Sequence, residues 1–255
     1  MLKVKISNKV GNKKVNSFGS EMIIVEYRRY NDIDIYFPKY NWTAKNTTYS
    51  NFNKGLIKCP YEPRTYNKGC IGEGKYLAKE NGKDTDVYKC WHSMLQRCYD
   101  KKVHNIRKTY EKCIVCDEWL NFQDFAEWYN ENYYNIDNEI MHLDKDILVK
   151  NNKMYSPDTC VFVPQRINAL FTKSNSKRGK YPIGVSIKEN GKFQAQCNIN
   201  GKNHKIGYYN TIEEAFNAYK NAKENEIKRI ADQYKDLIPD NLYIALYNYE
   251  ISIND

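Results

Sequence analysis

No apolar run in this chain approaches the ~18 residues that a membrane-spanning helix requires, so no span is expected. The opening stretch, MLKVKISNKVGNKKV, places lysines where a secretory signal needs an apolar centre, and a cytoplasmic setting is the expectation. A second CxxC is also missing. Cys113-Ile114-Val115-Cys116 stands alone among eight cysteines. Without an export signal, reduced thiols are the expected state. Four thiolates from Cys98, Cys113, Cys116 and Cys160 would make a structural zinc site. Ile and Val between the paired cysteines point instead to strand packing and buried free thiols. Histidine is scarce, with four in 255 residues. Acidic charge is short too: 31 Asp and Glu stand against 40 Lys and Arg, a net +9. A polyanionic partner suits that excess.

The excess is concentrated. Lys173 to Lys205 holds eight basic residues and one acidic one, so eight minus one gives +7 of the total +9. Residues 173–180, KSNSKRGK, read as a basic connector, with Lys177 and Arg178 as phosphate contacts. Three alternating segments follow, Gly184–Lys188, Lys192–Ile199 and Lys205–Tyr209, separated by the turns Glu189-Asn190-Gly191 and Asn200-Gly201-Lys202-Asn203. Thr211 then offers a helix N-cap, with Glu213 and Glu214 in the first turn and an apolar row at Ala215, Ala218, Tyr219 and Ala222. A three-stranded sheet backed by one helix is predicted. Val185 and Ile187 are expected to face the helix. Ser186, Lys188, Lys192, Gln194, Gln196, Asn198 and Lys205 are expected on the other face, which lacks carboxylates and can donate to phosphates and read base edges.

Gly184-Val185, Gly191-Lys192-Phe193, Ala195, Ile206-Gly207-Tyr208-Tyr209, Thr211, Glu213-Glu214-Ala215 and Ala218-Tyr219 resemble the DNA-binding domain of plant ethylene-response factors, which recurs in phage and homing endonucleases. That resemblance implies double-stranded DNA as partner, with the sheet in the major groove. The plant domains carry arginines and tryptophans at several of these places, so their base preference does not transfer.

At 255 residues the chain can hold two or three small domains. The fold expected is α+β in three parts. Residues 1–75 read as a small β-rich unit, possible as a barrel, with period-two alternation at Met22–Tyr27 and Ile33–Phe37 continuing through Tyr49–Phe52 and Gly55–Ile57. Residues 58–86, rich in Pro, Gly, Asn and Lys, read as a linker or irregular loop. Residues 87–172 form a middle unit, and 181–255 the sheet with C-terminal helices. Residues 173–255 alone are expected to keep most of the DNA affinity.

In the middle unit, Tyr88, Trp91, Met94, Leu95 and Cys98 have helical spacing, as do Trp119, Phe122, Phe125 and Trp128. Residues 139–149 and 155–163 read as two strands, and Pro164–Thr172 as a helix. Trp91, Met94, Arg97-Cys98, Cys116, Glu118-Trp119, Phe122, Phe125, Leu143-Asp144-Lys145-Asp146, Tyr155-Ser156-Pro157-Asp158-Thr159-Cys160 and Asn168 resemble a phage family of HNH-type endonucleases with the ββα-metal fold. A stretch ending in Tyr49, Phe52, Gly55 and Gly69-Cys70-Ile71-Gly72-Glu73-Gly74 resembles segments that accompany such enzymes. The resemblance implies a metal-dependent hydrolase of phage origin acting in a bacterial cell. Asp144 and Asn168 would be cation ligands, with Asp146 in reserve. Both are hard oxygen donors, so magnesium or manganese is expected in preference to zinc. Lys145 stands where the family's histidine usually follows the aspartate, and reads as a phosphate contact. His142 lies two residues before Asp144, on the same strand face, and is the candidate base. His92 and His104 are weaker alternatives. A non-catalytic DNA-binding protein with a degenerate nuclease unit is the other reading.

Overall fold

The computed structural model describes residues 9–172 and 180–254. The fold is mixed α and β with several small sheets, consistent with the α+β expectation. The chain forms two compact units. One is Met1–Glu131 with Lys153–Ser156; the other is Asn132–Asn152 with Pro157–Asp255. The boundary falls inside the expected middle unit.

The first unit begins with a four-stranded antiparallel meander, β1 (Lys13–Val15), β2 (Glu21–Arg29), β3 (Asp32–Phe37) and β4 (Trp42–Thr47). Alternation puts Met22 and Ile24 of β2 with Ile33, Ile35 and Phe37 of β3 in one core. The sheet is open, ordered β1-β2-β3-β4, and does not close as a barrel. Tyr49–Lys54 is a helix, α1, where alternation suggested a strand. The Thr48 side chain accepts from the Asn51 N–H, and Gly55 ends the helix at φ +68°. Tyr49 and Phe52 are three apart, a spacing that puts both on one face of a helix but on opposite faces of a strand, and the caps agree with the helix.

The segment expected to be a loose linker is docked. Cys70 N–H donates to Leu120 O, and Phe122 N–H to Cys70 O. The Gln123 carboxamide donates to Ile71 O and Tyr76 O and accepts from Tyr76 N–H. A Cβ on Gly69 would meet Trp91 and Leu95, and one on Gly74 would meet Gln123. The glycines let bare backbone lie against helix side chains. A hairpin follows, β5 (Lys79–Glu80) with β6 (Lys83–Asp84). Helix α2 (Asp86–Tyr99), capped by Thr85, buries Trp91, Met94, Leu95 and Cys98. The short helix α3 (Lys101–Ile106) leads to β7 (Ile114–Val115). The second aromatic stripe starts in a 3-10 turn at Trp119 and continues in α4 (Phe122–Asn132), with Trp119 edge-on to Phe125 at 5.1 Å.

In the second unit β8 (Met141–Asp144) is shorter than the expected strand. The strand expected at 155–163 is two pieces. β9 (Met154–Tyr155) belongs to the first unit, paired in parallel with β7, and β10 (Val161–Pro164) pairs antiparallel with β8. Helix α5 (Gln165–Ala169) follows. The C-terminal sheet, β11 (Val185–Ile187), β12 (Phe193–Ile199) and β13 (Lys202–Tyr209), is antiparallel in that order. Helix α6 (Ile212–Gln233) opens with a full capping box between Thr211 and Glu214 and covers the sheet. Gly184, at φ +78°, lets β11 begin against the Tyr219 ring, which a Cβ there would strike. After Pro239 comes α7 (Asp240–Tyr247).

Ile147, Val161, Val163 and Ile167 share one hydrophobic core with Ala195, Cys197, Ala215, Tyr219, Ile230 and Leu242. The strand–strand–helix piece and the C-terminal sheet are therefore one packed body within the second unit.

Candidate functional site

Two sets of polar side chains in the second unit coincide with the sequence expectations. The first lies on β8 and α5. Antiparallel pairing sets His142 opposite Val163 and Asp144 opposite Val161, so both project to one face. Pro164 turns the chain directly into α5, and Asn168 on that helix reaches back, its Nδ2 3.1 Å from His142 Nδ1. Asp144 Oδ1 accepts the backbone N–H of Asp146 at 2.9 Å and of Ile147 at 2.8 Å. These bonds stabilise its charge. Burial and the neighbouring Asp146 outweigh them, and the carboxyl is pushed up to about 6. A cation at this carboxylate would relieve both effects. With Asn168 giving its amide nitrogen to His142, a carboxylate and a carboxamide oxygen remain as hard donors for a divalent ion. That small set suits magnesium, which takes one or two carboxylates and keeps several waters. Among the described residues, no three of His, Cys, Asp and Glu gather as a metal-holding group.

Lys145 differs from its expected role. It is 6% exposed, and its Nζ is 3.0 Å from Asp146 Oδ2. An ammonium so enclosed is not presented to a phosphate in the bulk solvent. Asp146 is its ion-pair partner, which weakens Asp146 as a reserve ligand. His104 lies 3.0 Å from Arg97 O, and His92 packs near the Tyr66 and Tyr88 rings. Each has a local structural explanation.

The zinc set does not assemble among the described residues. Cys98, Cys113, Cys116 and Cys160 stand outside any disulfide, and no described ligand cluster contains them. Ile114 and Val115 are β7, and side chains three apart on a strand point to opposite faces. Cys113 is accordingly buried, while Cys116 is half-buried.

The second set is the open face of the C-terminal sheet. Ser186 pairs with Gln194, and Gln196 with Lys205. Asn198 lies two residues beyond Gln196, and Lys188 and Lys192 flank the first turn, where Lys188 N–H donates to Lys192 O. All seven expected residues thus share a face. Gln194 is only 8% exposed between Ser186 and Tyr208, which limits it as a reader. Ile187, expected toward the helix, is 47% exposed near the turn.

Sequence reasoning missed Tyr208 and Asn203, which pair with Gln194 and Asn198 and so join this face. Asn203 falls within the expected turn, and for Tyr208 a bulge explains the omission. Ala195 pairs with Gly207 but Gln196 with Lys205, leaving Ile206 as an extra residue. Strict alternation from Lys205 would put Gly207 and Tyr209 on the open face, whereas the bulge puts Tyr208 there. Lys205 Nζ sits 4.9 Å from the Tyr208 ring centroid. Lys177 and Arg178 lie outside the described residues.

No protein-family model, curated protein or solved structure matches the chain. Among the described residues no helix is long and apolar enough to cross a membrane.

Proposed function

We propose that this chain is a sequence-directed DNA endonuclease of the homing or mobile type, of phage origin, that holds double-stranded DNA against the β11–β13 sheet and hydrolyses phosphodiester bonds near Asp144. One observation carries the reading: β8 and α5 bring His142 and Asn168 into contact beside a desolvated Asp144. A metal-dependent hydrolase needs this combination of base, carboxylate and second oxygen donor. Asp144 and Asn168 would hold magnesium or manganese, which when bound polarises the scissile phosphate. His142 would take the proton of the attacking water on Nδ1, once Asn168 Nδ2, which occupies that lone pair here, turns away as its oxygen meets the cation. The sheet supplies register through Gln196, Asn198 and Lys205.

Cleavage of plasmid DNA with magnesium or manganese tests this. Asp144→Ala abolishes cleavage and leaves DNA binding intact, and His142→Ala slows cleavage by about 10²–10⁴-fold. Normal cutting by His142→Ala removes that residue from the base role. The second reading, a DNA-binding protein without catalysis, is favoured by the enclosed Lys145–Asp146 pair at the position of the usual histidine. Binding without cleavage under either metal, across a library containing the selected site, would establish it.

A further inference from the structure

Lys223 breaks the pattern of its helix. Tyr219, Glu226, Ile227 and Ile230 line the sheet-facing side of α6, and Lys223 falls in the same row, four residues after Tyr219. An apolar residue is the default there. Glu226 is the other exception, and its charge is accounted for: Arg229 binds both its oxygens at 2.7 and 2.9 Å, and Asn200 N–H donates to it at 2.9 Å. Lys223 has no hydrogen bond of this kind among the described residues; burial holds its pKa below the usual lysine value, against the weaker opposing pull of Cys197 and of Glu226 one turn on. Departures from local pattern without local compensation concentrate at functional sites.

The position of Lys223 explains the departure. β11 covers β12 only as far as the bond from Gln196 N–H to Gly184 O. Beyond it no described strand pairs with the edge of β12, and a cleft of about 550 Å³ lies between that edge and the end of α5. Lys223 lines it, with Ser186, Gln196, Asn198, Asn203 and Thr172 contributing hydroxyls and carboxamides. Among the described residues no carboxylate lines it. One desolvated cation among these hydroxyls and carboxamides, beside apolar walls that include Leu170, Ile183 and Val185, is suited to an anion. Ala169 and Leu170, which directly follow Asn168, also line it, as do Gln196 and Asn198 of β12.

We infer that this cleft is a binding site for one backbone phosphate of a DNA strand, seated on Lys223 as it passes from the reading face toward α5. The inference rests on the DNA-binding part of the proposed function and not on catalysis.

The test uses the full chain and the duplex it selects. Lys223→Met suits a sheet-facing helix position and is expected to unfold at the parent's temperature or higher. Its plot of log affinity against log salt should be shallower by about 0.9, one phosphate contact. Affinity at low salt should fall about tenfold or more, with the preferred sequence unchanged. Lys223→Arg should keep the parent's slope. In the parent, a neutral methylphosphonate at one backbone position should cost the same factor, and in Lys223→Met it should cost nothing further. If the parent binds and Lys223→Met shares its slope and affinity, the inference is overturned while DNA binding stands. If no methylphosphonate position loses its effect in Lys223→Met, it is overturned as well. A parent that binds no duplex DNA overturns both.

Discussion

Asp144 shows how one side chain can be well hydrogen-bonded and still uncomfortable. Two backbone N–H groups hold its Oδ1, but burial and Asp146 raise its pKa to about 6, above the ordinary carboxylate value. The protonated form is thus favoured by folding. The stabilisation is complete below about pH 4, the ordinary carboxyl value, and is lost as pH rises through about 6. Asp144→Asn keeps an oxygen for both N–H groups and removes the charge. It should therefore be more stable than the parent at neutral pH, with the difference vanishing in acid. Chemical denaturation across that pH range checks this; an equal loss at every pH would mean the carboxylate is not strained. The same residue shows what was legible. Asp144, His142 and Asn168 could be picked out from strand period and resemblance. The enclosure of Lys145 could not, because it depends on the Asp146 contact and on Asn152 bonding to Lys145 O after the chain has turned back.

Elements were legible where the signal is local. Thr211 caps its helix as expected, with Glu214 completing a capping box, and the turn at Gly191 has its positive φ. They were illegible where irregular backbone is held by partners far away in sequence. Nothing in residues 70–76 announces a strap, since no period marks it; Gln123, some fifty residues on, holds it. The β12–β13 hairpin has a similar remote support. Glu226 bonds Asn200 N–H in the turn, and Arg229 bridges Glu226 to Asn200 Oδ1 at 2.6 Å. Chiefly because of the Arg229 bond, the pKa of Glu226 is lowered. Its contribution is present above the ordinary glutamate pKa and fades as pH falls through the lowered value. Glu226→Ala leaves the turn N–H and the guanidinium without their acceptor, at a cost of about 1–3 kcal/mol. Amide exchange should accelerate in residues 198–205 more than in α7. Uniform acceleration across the second unit would argue against a local clamp.

At the scale of the molecule, the sequence suggested a nuclease piece joined to a separable reader by a basic connector. The second unit instead buries Val161, Val163 and Ile167 in the same core as Ala195, Ala215 and Leu242. Composition could not reveal this, because a shared core is a set of long-range contacts between segments that each look self-sufficient. A fragment of residues 181–255 would lose those partners, at about 1.5–3 kcal/mol for each fully buried side chain. It should melt well below a fragment of residues 132–255, and calorimetry of the two would show it; equal melting temperatures would restore the separable reader. Under the proposed function, the common core also bears on how the protein would change its DNA target over generations. A tethered reader can be exchanged for another, and its tether forgives the spacing. Here a new recognition sheet would arrive with half a core that no longer fits, so specificity must drift one surface residue at a time. The interval between the recognised sequence and any cut should stay constant to the base pair.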